Sequence, residues 1–325
     1  MPPSLEYSQA VALLEQAAKC DEIEKVEYGR AIKLRGSYAV ISGALDQAQG
    51  FFSEAQRIFK DTGATEDLAK LCHSISDLYL SKGMTGEALA SAEEAVGLFS
   101  KLQSPVGGAN ASFQLGSVYW NIGLHGQAIA NYSKAITVLT KFGRYRALAE
   151  AYEYKAGVQD DIGDFESVRT EALKAHENGL KANSAYWQAH ASFLLAIAEI
   201  RLNRIAEGEK WYKNGSKLLK SLGKLADMRS PLSILSVLAE AHLLDAKGDW
   251  TVGKEKFLQT IEFYRGTYWA VLHEALARTQ FGEAALARGL TKEAREQFMK
   301  AAEIYETLGN KTQVDKLTRL LARAI

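Results

Sequence analysis

Residues 113–135 read FQLGSVYWNIGLHGQAIANYSKA, and this stretch decides the fold. Its small residues Gly116 and Ala128 stand near the large Tyr119 and Tyr132. Apolar residues recur at spacings of three and four, which is the pattern of an amphipathic helix. Glycine and alanine at a helix crossing let two backbones approach closely, and the tyrosines fill the space beside them. The stretch therefore predicts a pair of antiparallel helices.

The central glycine of this stretch recurs along the chain at a spacing of about forty residues. The recurring positions are Gly43, Gly83, Gly123 and Gly163, then Asn203 in a glycine slot, then Gly248 and Gly289. A fixed period of about 20 to 50 residues is typical of stacked helical repeats. The period therefore predicts an all-α array, and strand-like alternation is nearly absent from the sequence.

The order of residues within the unit resembles the tetratricopeptide repeat: Leu115, Gly116, Tyr119, Gly123, Ala128, Tyr132 and Ala135. The resemblance implies an α-solenoid of about seven antiparallel helix pairs in a right-handed superhelix with N- and C-terminal capping helices. We expect a single domain over residues 1–325, with a lead helix in 1–21, repeats in 22–308 and a closing helix in 309–325. The polar face of the closing helix, which carries Lys316 and Arg319, is expected to meet solvent.

The period is longer than the common tetratricopeptide unit of about 34 residues, which indicates longer helices. Such long-helix versions are similar to Pins-type adaptors, kinesin light chains, Rap signalling proteins and the sensor domains of maltose-activator-like regulators. The period alone does not choose among these families.

Composition excludes several classes of function. The 39 basic and 39 acidic residues cancel, so no overall field attracts nucleic acid or an anionic membrane. The only two cysteines, Cys20 and Cys72, are not paired as CxxC, which favours a reducing compartment. The N-terminus lacks a signal-peptide pattern, and no run of about 18 apolar residues occurs. We therefore expect a cytoplasmic protein with no membrane or nucleic-acid partner.

The sequence predicts neither an active site nor a metal or cofactor site. It has no HExxH pair, no phosphate-binding loop ending in Gly-Lys-Ser/Thr and no GxSxG turn. The six histidines are scattered, so each is interpreted as structural or exposed. The interpretation is a non-enzymatic protein without a cofactor.

Candidate binding residues follow from the resemblance, because the first helix of each tetratricopeptide pair lines the concave surface. Trp120 is the foremost candidate, as an aromatic anchor for a partner peptide or helix, although packing against the next repeat explains it equally well. The partner-binding candidates are Lys33, His73, Asp77, Phe113, Gln114, Ser117, Trp120, Asn121, Tyr154, Asp160, His190 and Phe193.

Two patterns of charged residues could also mark a binding site. Lys33 matches the first residue of the carboxylate clamp of chaperone-binding relatives, but Ser37 and Ser74 replace its asparagines, which argues against a clamp. An acidic group in the fourth repeat could attract a basic partner, but a solvated face is the preferred interpretation; its members are Glu150, Glu153, Asp160, Asp161 and Asp164.

Two functions remain open from the sequence. The first is a scaffold that binds a peptide or helix of another protein in its concave groove, and the second is a ligand-sensing regulatory domain. A Rap-like role ranks last because the resemblance requires an N-terminal three-helix bundle, and only residues 1–21 precede the repeats. The sequence leaves open whether the protein forms a homo-oligomer, and which partner or pathway it serves.

Overall fold

The computed structural model describes residues 25–223, 230–265, 267 and 270–324. These residues contain no strand and form fifteen helices. The helices are α1 (Lys25–Ile41), α2 (Leu45–Asp61), α3 (Thr65–Ser81), α4 (Thr85–Lys101), α5 (Pro105–Asn121), α6 (His125–Lys141), α7 (Tyr145–Ile162), α8 (Phe165–Lys181), α9 (Ala185–Arg201), α10 (Ile205–Ser221), α11 (Pro231–Ala246), α12 (Trp250–Arg265), α13 (Val271–Ala287), α14 (Thr291–Thr307) and α15 (Lys311–Arg323). The first fourteen form seven pairs, and we call the first helix of each pair its A helix and the second its B helix. The predicted lead helix lies outside the described residues.

The period of forty has a simple origin in helix and turn lengths. Most helices have 17 residues and are followed by a turn of three, so two helices with their turns make forty residues. In the turn after α5, Gly123 adopts the left-handed region with a φ of 77°. The amide of Leu124 then donates to the carbonyl of Tyr119 at 2.8 Å, which ends the helix in a Schellman motif. The glycine register predicted from the sequence is confirmed.

Three turns place a residue other than glycine in the left-handed region. Asn203, predicted to occupy a glycine slot, has a φ of 61°. Asn183 and Gln103 occupy the same place in two of the turns that follow B helices. Asparagine tolerates the left-handed conformation because its short side chain can hydrogen-bond to the nearby backbone. Glutamine has a longer side chain and lacks this stabilisation. The repeat phase therefore continues through turns whose sequence no longer shows it.

In the first and last pairs, an aromatic ring of the B helix packs onto a glycine of the A helix. A Cβ atom on Gly36 would lie 2.3 Å from the ring of Phe52, and one on Gly282 would lie 2.4 Å from the ring of Phe298. In the third pair, Tyr132 and Ala128 are both fully buried on α6. Close crossing of the two helices is confirmed for the first and last pairs, and for the third pair it stays a prediction.

Replacing Ala128 by leucine should destabilise the array, because extra methylenes enter a crossing with no room for them. Ala128 is 0% exposed, and overpacking of this kind costs about 1–3 kcal/mol. Lys101→Ala is the control, since Lys101 is exposed at the end of α4 and should change stability by less than about 0.5 kcal/mol. Equal shifts in urea melts of the two variants would contradict the register.

Contacts between Cα atoms divide the chain into two compact units. The first comprises Met1–Val118 with Thr267–Ala270, and the second comprises Tyr119–Gly266 with Val271–Ile325. Within the first unit, helices α1, α2 and α3 bury a core that includes Phe52, Phe59 and Leu71. The handedness of the array and the single domain over the whole chain stay predictions.

Within the second unit, the C-terminal end of the chain returns to the unit's first helices. Asn310, just before α15, donates from Nδ2 to the carbonyl of Asn121 at 3.2 Å. Gln313 donates from Nε2 to the carbonyl of Asp161 at 3.1 Å, and Asn310 and Gln313 are both buried. The expectation that one face of the closing helix simply meets solvent is therefore wrong for Lys316, which pairs with Glu283 at 3.3 Å.

Candidate binding site on the A helices

Three of the candidate residues in the first unit form one polar group around Asp77. Gln114 on α5 donates from Nε2 to Oδ1 of Asp77 on α3 at 2.6 Å. Nε2 of His73, one turn before, lies 3.7 Å from Oδ2 of the same aspartate. Burial raises the pKa of Asp77. The structure thus brings together candidates from the A helices of the second and third repeats.

The remaining candidates of the first unit lie apart from that group or serve their own helix. Burial, and after it the charge of Lys70, lowers the pKa of the Lys33 ammonium on α1. The Ser117 hydroxyl donates to the carbonyl of Phe113 at 3.3 Å, within α5. None of these contacts builds a carboxylate clamp.

Trp120 in the second unit is a packed residue. It is only 5% exposed, and a Cβ atom added to Gly157 on α7 would lie 2.5 Å from its ring. Tyr154 and His273 meet it edge-on, each with ring centroids 6.1 Å away. Its indole Nε1 is buried without a hydrogen-bond partner. The ring therefore packs against the A helix of the next repeat, while its one polar atom stays unsatisfied.

Three further candidates of the second unit are engaged within the fold. The carbonyl of Asn121 accepts from Asn310, and Oδ2 of Asp160 accepts from Nε2 of Gln280 at 2.7 Å. Phe193 is 0% exposed, and a Cβ atom on Gly215 would lie 2.8 Å from its ring. Phe193 faces its own B helix, so we remove it from the candidate set. The repeat phase placed Phe193 on an A helix but did not determine which way its side chain points.

The acidic group of the fourth repeat is largely not a solvated face. Asp161 is 2% exposed, and its Oδ2 lies 2.8 Å from Nε2 of His125. Asp160 is held by Gln280, and Glu153 has its Oε2 atom buried. Only Asp164 fits the solvated interpretation, since it is exposed and caps α8 by accepting from the amide of Ser167. The sequence interpretation of this group is corrected accordingly.

Polar atoms without partners concentrate on the A helices of the second unit. We call this set the inner cluster; it consists of Trp120 on α5, Glu153 on α7, Trp187 and His190 on α9, and His273 on α13. Each contributes one buried polar atom with no hydrogen-bond partner: Trp120 Nε1, Glu153 Oε2, Trp187 Nε1, His190 Nδ1 and His273 Nδ1. Within the described residues these are five of twelve such side-chain atoms. Because an unsatisfied buried group costs about 1–3 kcal/mol, a set of five in one place calls for an explanation.

Ring contacts and one close polar contact join the inner cluster. Nε2 of His190 lies 3.3 Å from Oε1 of Glu153. The ring of His190 lies 6.1 Å from that of Trp187, and His273 lies 5.5 Å from Tyr264 on α12. Burial lowers the pKa of His190 to about 3 and that of His273 to about 4, so both imidazoles are neutral near pH 7. Burial, and after it the neighbouring Glu150, raises the pKa of Glu153 well above its usual range.

Sequence reasoning found Trp120 and His190 but missed Trp187 and His273. Trp187 stands three residues before His190 and so shares its helix face, which was a usable signal. His273 comes from a distant repeat, and no local pattern marks it. The described residues contain no group of three or more His, Cys, Asp or Glu placed to hold a metal ion. Among the same residues, no helix combines the length and the apolar character that a membrane span requires.

Comparison with known proteins agrees with the repeat architecture. A tetratricopeptide repeat model matches residues 69–101 and 109–138. No curated protein sequence matches the chain at a significant level. The family model covers the second and third pairs, where the repeat pattern is best preserved.

Solved structures resemble the chain over nearly its whole length. A Rap protein complexed with competence and sporulation factor has a TM-score of 0.60 at 15% identity, covering 98% of this chain and 92% of that one. Aspartyl phosphate phosphatase F from Bacillus subtilis has a TM-score of 0.71 at 13% identity, covering 94% and 77%. The Rap conjugation gene regulator of plasmid pLS20 in complex with the Phr* peptide has 0.59 at 14%, covering 91% and 76%.

Identities this low carry the fold alone, so the names of these neighbours assign no activity to the chain. The Rap proteins, which the sequence argument ranked last as a functional class, are nevertheless neighbours in fold. Together with the family match and the helix pairs described above, they show that the chain contains tetratricopeptide repeats and has the fold of tetratricopeptide-repeat proteins.

Proposed function

We propose that the protein is a non-enzymatic regulatory adaptor that binds a segment of another protein on the A helices of its second unit. Two of its fold neighbours are complexes, one with competence and sporulation factor and one with the Phr* peptide. Repeat arrays present extended surfaces built from equivalent helices, and such surfaces commonly take peptides or helices. A cytoplasmic location remains a prediction, and whether the protein forms a homo-oligomer stays open.

The observation that carries the proposal is the inner cluster. It gathers side chains from the A helices of four repeats, namely those containing α5, α7, α9 and α13. Its members combine tryptophan and histidine rings with a carboxylate, which is the composition of an interface centre rather than of an apolar core. Donors and acceptors without protein partners are available to a bound group.

The test compares two half-buried histidines that lie at different places in the repeat. His190→Leu should weaken binding of a partner captured from native lysate by about thirtyfold or more, as expected for an interface hot spot. His176→Leu is the matched control, because His176 is also a half-buried histidine with an unpartnered ring nitrogen but lies on the B helix α8. Circular dichroism should show the same helix content for both variants.

Hydrogen exchange of the complex then locates the partner. Binding should slow amide exchange in α7, α9 and α13 and leave α8 unchanged. Protection confined to B helices would refute the proposal, as would a His190→Leu variant that keeps the full affinity of the parent.

A ligand-sensing role is the second candidate, and one observation favours it. The polar atoms of the inner cluster are buried, so the group that satisfies them must be small, such as a side chain or a free metabolite. A small molecule that binds this cluster and displaces the protein partner would support sensing over simple scaffolding.

A further inference from the structure

The inner cluster has a chemical character that selects its ligand. Glu153 supplies an acceptor oxygen with no partner, and its Oε1 faces a histidine that burial keeps neutral. Among the described residues, the ionic interactions of Glu153 involve His190 and Glu150, and no lysine or arginine takes part. A buried carboxylate normally pairs with a cation. Within the described part of the chain, Arg146 acts on Glu150 and Tyr186, but no cation pairs with Glu153.

Aromatic side chains lie near the carboxylate, since Tyr186 and Tyr264 both interact electrostatically with Glu153. The rings of Tyr186 and Trp187 on α9 lie 5.1 Å apart at an angle of 85°, and both border His190. Tyr264 on α12 borders His273. Rings of this kind attract a cation through the negative charge of their faces, and the attraction is stronger where water is excluded. A carboxylate among aromatic rings is suited to an ammonium or guanidinium group.

The neutral histidines add acceptors for such a group. A neutral imidazole has one nitrogen that accepts a hydrogen bond, and His190 and His273 each keep Nδ1 unpartnered. A guanidinium or ammonium carries only donors, so it can satisfy the carboxylate and the imidazoles together. An anion would instead meet Glu153 and Glu150, which is unfavourable.

We propose that the inner cluster binds a cationic group, an ammonium or a guanidinium, with Glu153 as its counter-ion and the aromatic rings as its walls. The inference rests on the proposed function, since the cation is a lysine or arginine side chain, or the amino terminus, of the bound segment. A free amine has the same chemistry, and the experiment below separates the two sources.

Binding should release a proton. In the empty site, burial raises the pKa of Glu153, which favours its protonated form. A bound cation stabilises the carboxylate and lowers that pKa, so affinity should rise with pH up to the raised pKa and then level off. The other titratable groups at the site are Glu150, Tyr186, His190, Tyr264 and His273, with Arg146 acting on Glu150 and Tyr186.

The experiment selects short peptides from a display library on the full-length protein and then neutralises their cations. Arginine is replaced by citrulline, lysine by norleucine, and the terminal amine is acetylated. One of these changes should weaken binding by about thirtyfold or more. In Glu153→Gln the same change should have little effect, whereas Glu303→Gln, at an exposed position of α14, should behave as the parent does. Calorimetry in two buffers should show proton release in the parent and none in Glu153→Gln.

Agmatine and 1,5-diaminopentane form the second arm, read by tryptophan fluorescence and by calorimetry. If these amines bind through Glu153 and no peptide does, the cation site is correct and the proposed protein partner is wrong. If peptides bind equally well after neutralisation, the cation site is wrong and the proposed function stands. Failure of both peptides and amines to bind would overturn both.

Discussion

Replacing Gly123 by alanine should lower the free energy of unfolding by about 2–5 kcal/mol. Two effects add. Gly123 has a φ of 77°, and a left-handed conformation costs a residue with a Cβ about 1–2 kcal/mol. A Cβ atom there would also lie 2.1 Å from Oδ1 of Asn310, and overpacking a filled site costs about 1–3 kcal/mol. Denaturant melts of the purified variant measure the sum.

Gly163→Ala separates the two effects. Gly163 has a φ of 89°, and a Cβ atom there would meet nothing within 4 Å. The Gly163→Ala variant should therefore lose only the backbone-strain contribution to the free energy of unfolding, about 1–2 kcal/mol. The difference between the two variants reports the contact between the Gly123 turn and Asn310. Equal losses at the two glycines would contradict the return of the C-terminal helix to this turn.

Much of the fold could be predicted because it depends on local chemistry. Left-handed glycines recur at Gly43, Gly83, Gly123 and Gly163, and glycines lie at the helix crossings of the first and last pairs. The seven pairs followed from Gly43, Gly83, Gly123 and Gly163 even where the motif residues faded. In the fifth repeat, Asn203 kept the phase because its side chain tolerates the same conformation.

The return of the C-terminal end could not be predicted. Asn310 and Gln313 look like ordinary polar residues at the start of a helix, and Asn310 does cap α15 by accepting from the amide of Gln313. Their second contacts, with Asn121 and Asp161, join residues far apart in sequence. A periodic sequence pattern does not predict such contacts, because they depend on how several repeats stack on one another within the unit.

The candidate site was predicted only in part for a related reason. Repeat phase identifies which helix carries a residue, and it placed Trp120 and His190 on A helices correctly. It does not tell whether a side chain turns toward the partner surface or toward its own B helix, as Phe193 does. The acidic group was misjudged because charge in a sequence indicates exposure only when no neighbouring repeat covers it.

Trp120→Ala should cost about 3–5 kcal/mol of stability, the range for removing a large buried aromatic side chain. The ring is 5% exposed, fills the space over Gly157 and contacts Tyr154 and His273 edge-on. Thermal and urea melts should show the loss, and weaker partner binding would then follow partly from unfolding.

Trp120→Phe distinguishes packing from binding at this position. Phenylalanine keeps an aromatic ring over Gly157 but lacks the Nε1 donor, which has no partner in the protein. If that donor serves a bound group, Trp120→Phe should weaken binding by about 0.5–1.5 kcal/mol, which is roughly twofold to tenfold. It should also recover most of the stability that Trp120→Ala loses. A phenylalanine variant that is as stable and binds as well as the parent would leave Trp120 with a packing role alone. The donor at the inner cluster would then have to be Trp187, and Trp187→Phe would carry the binding defect instead.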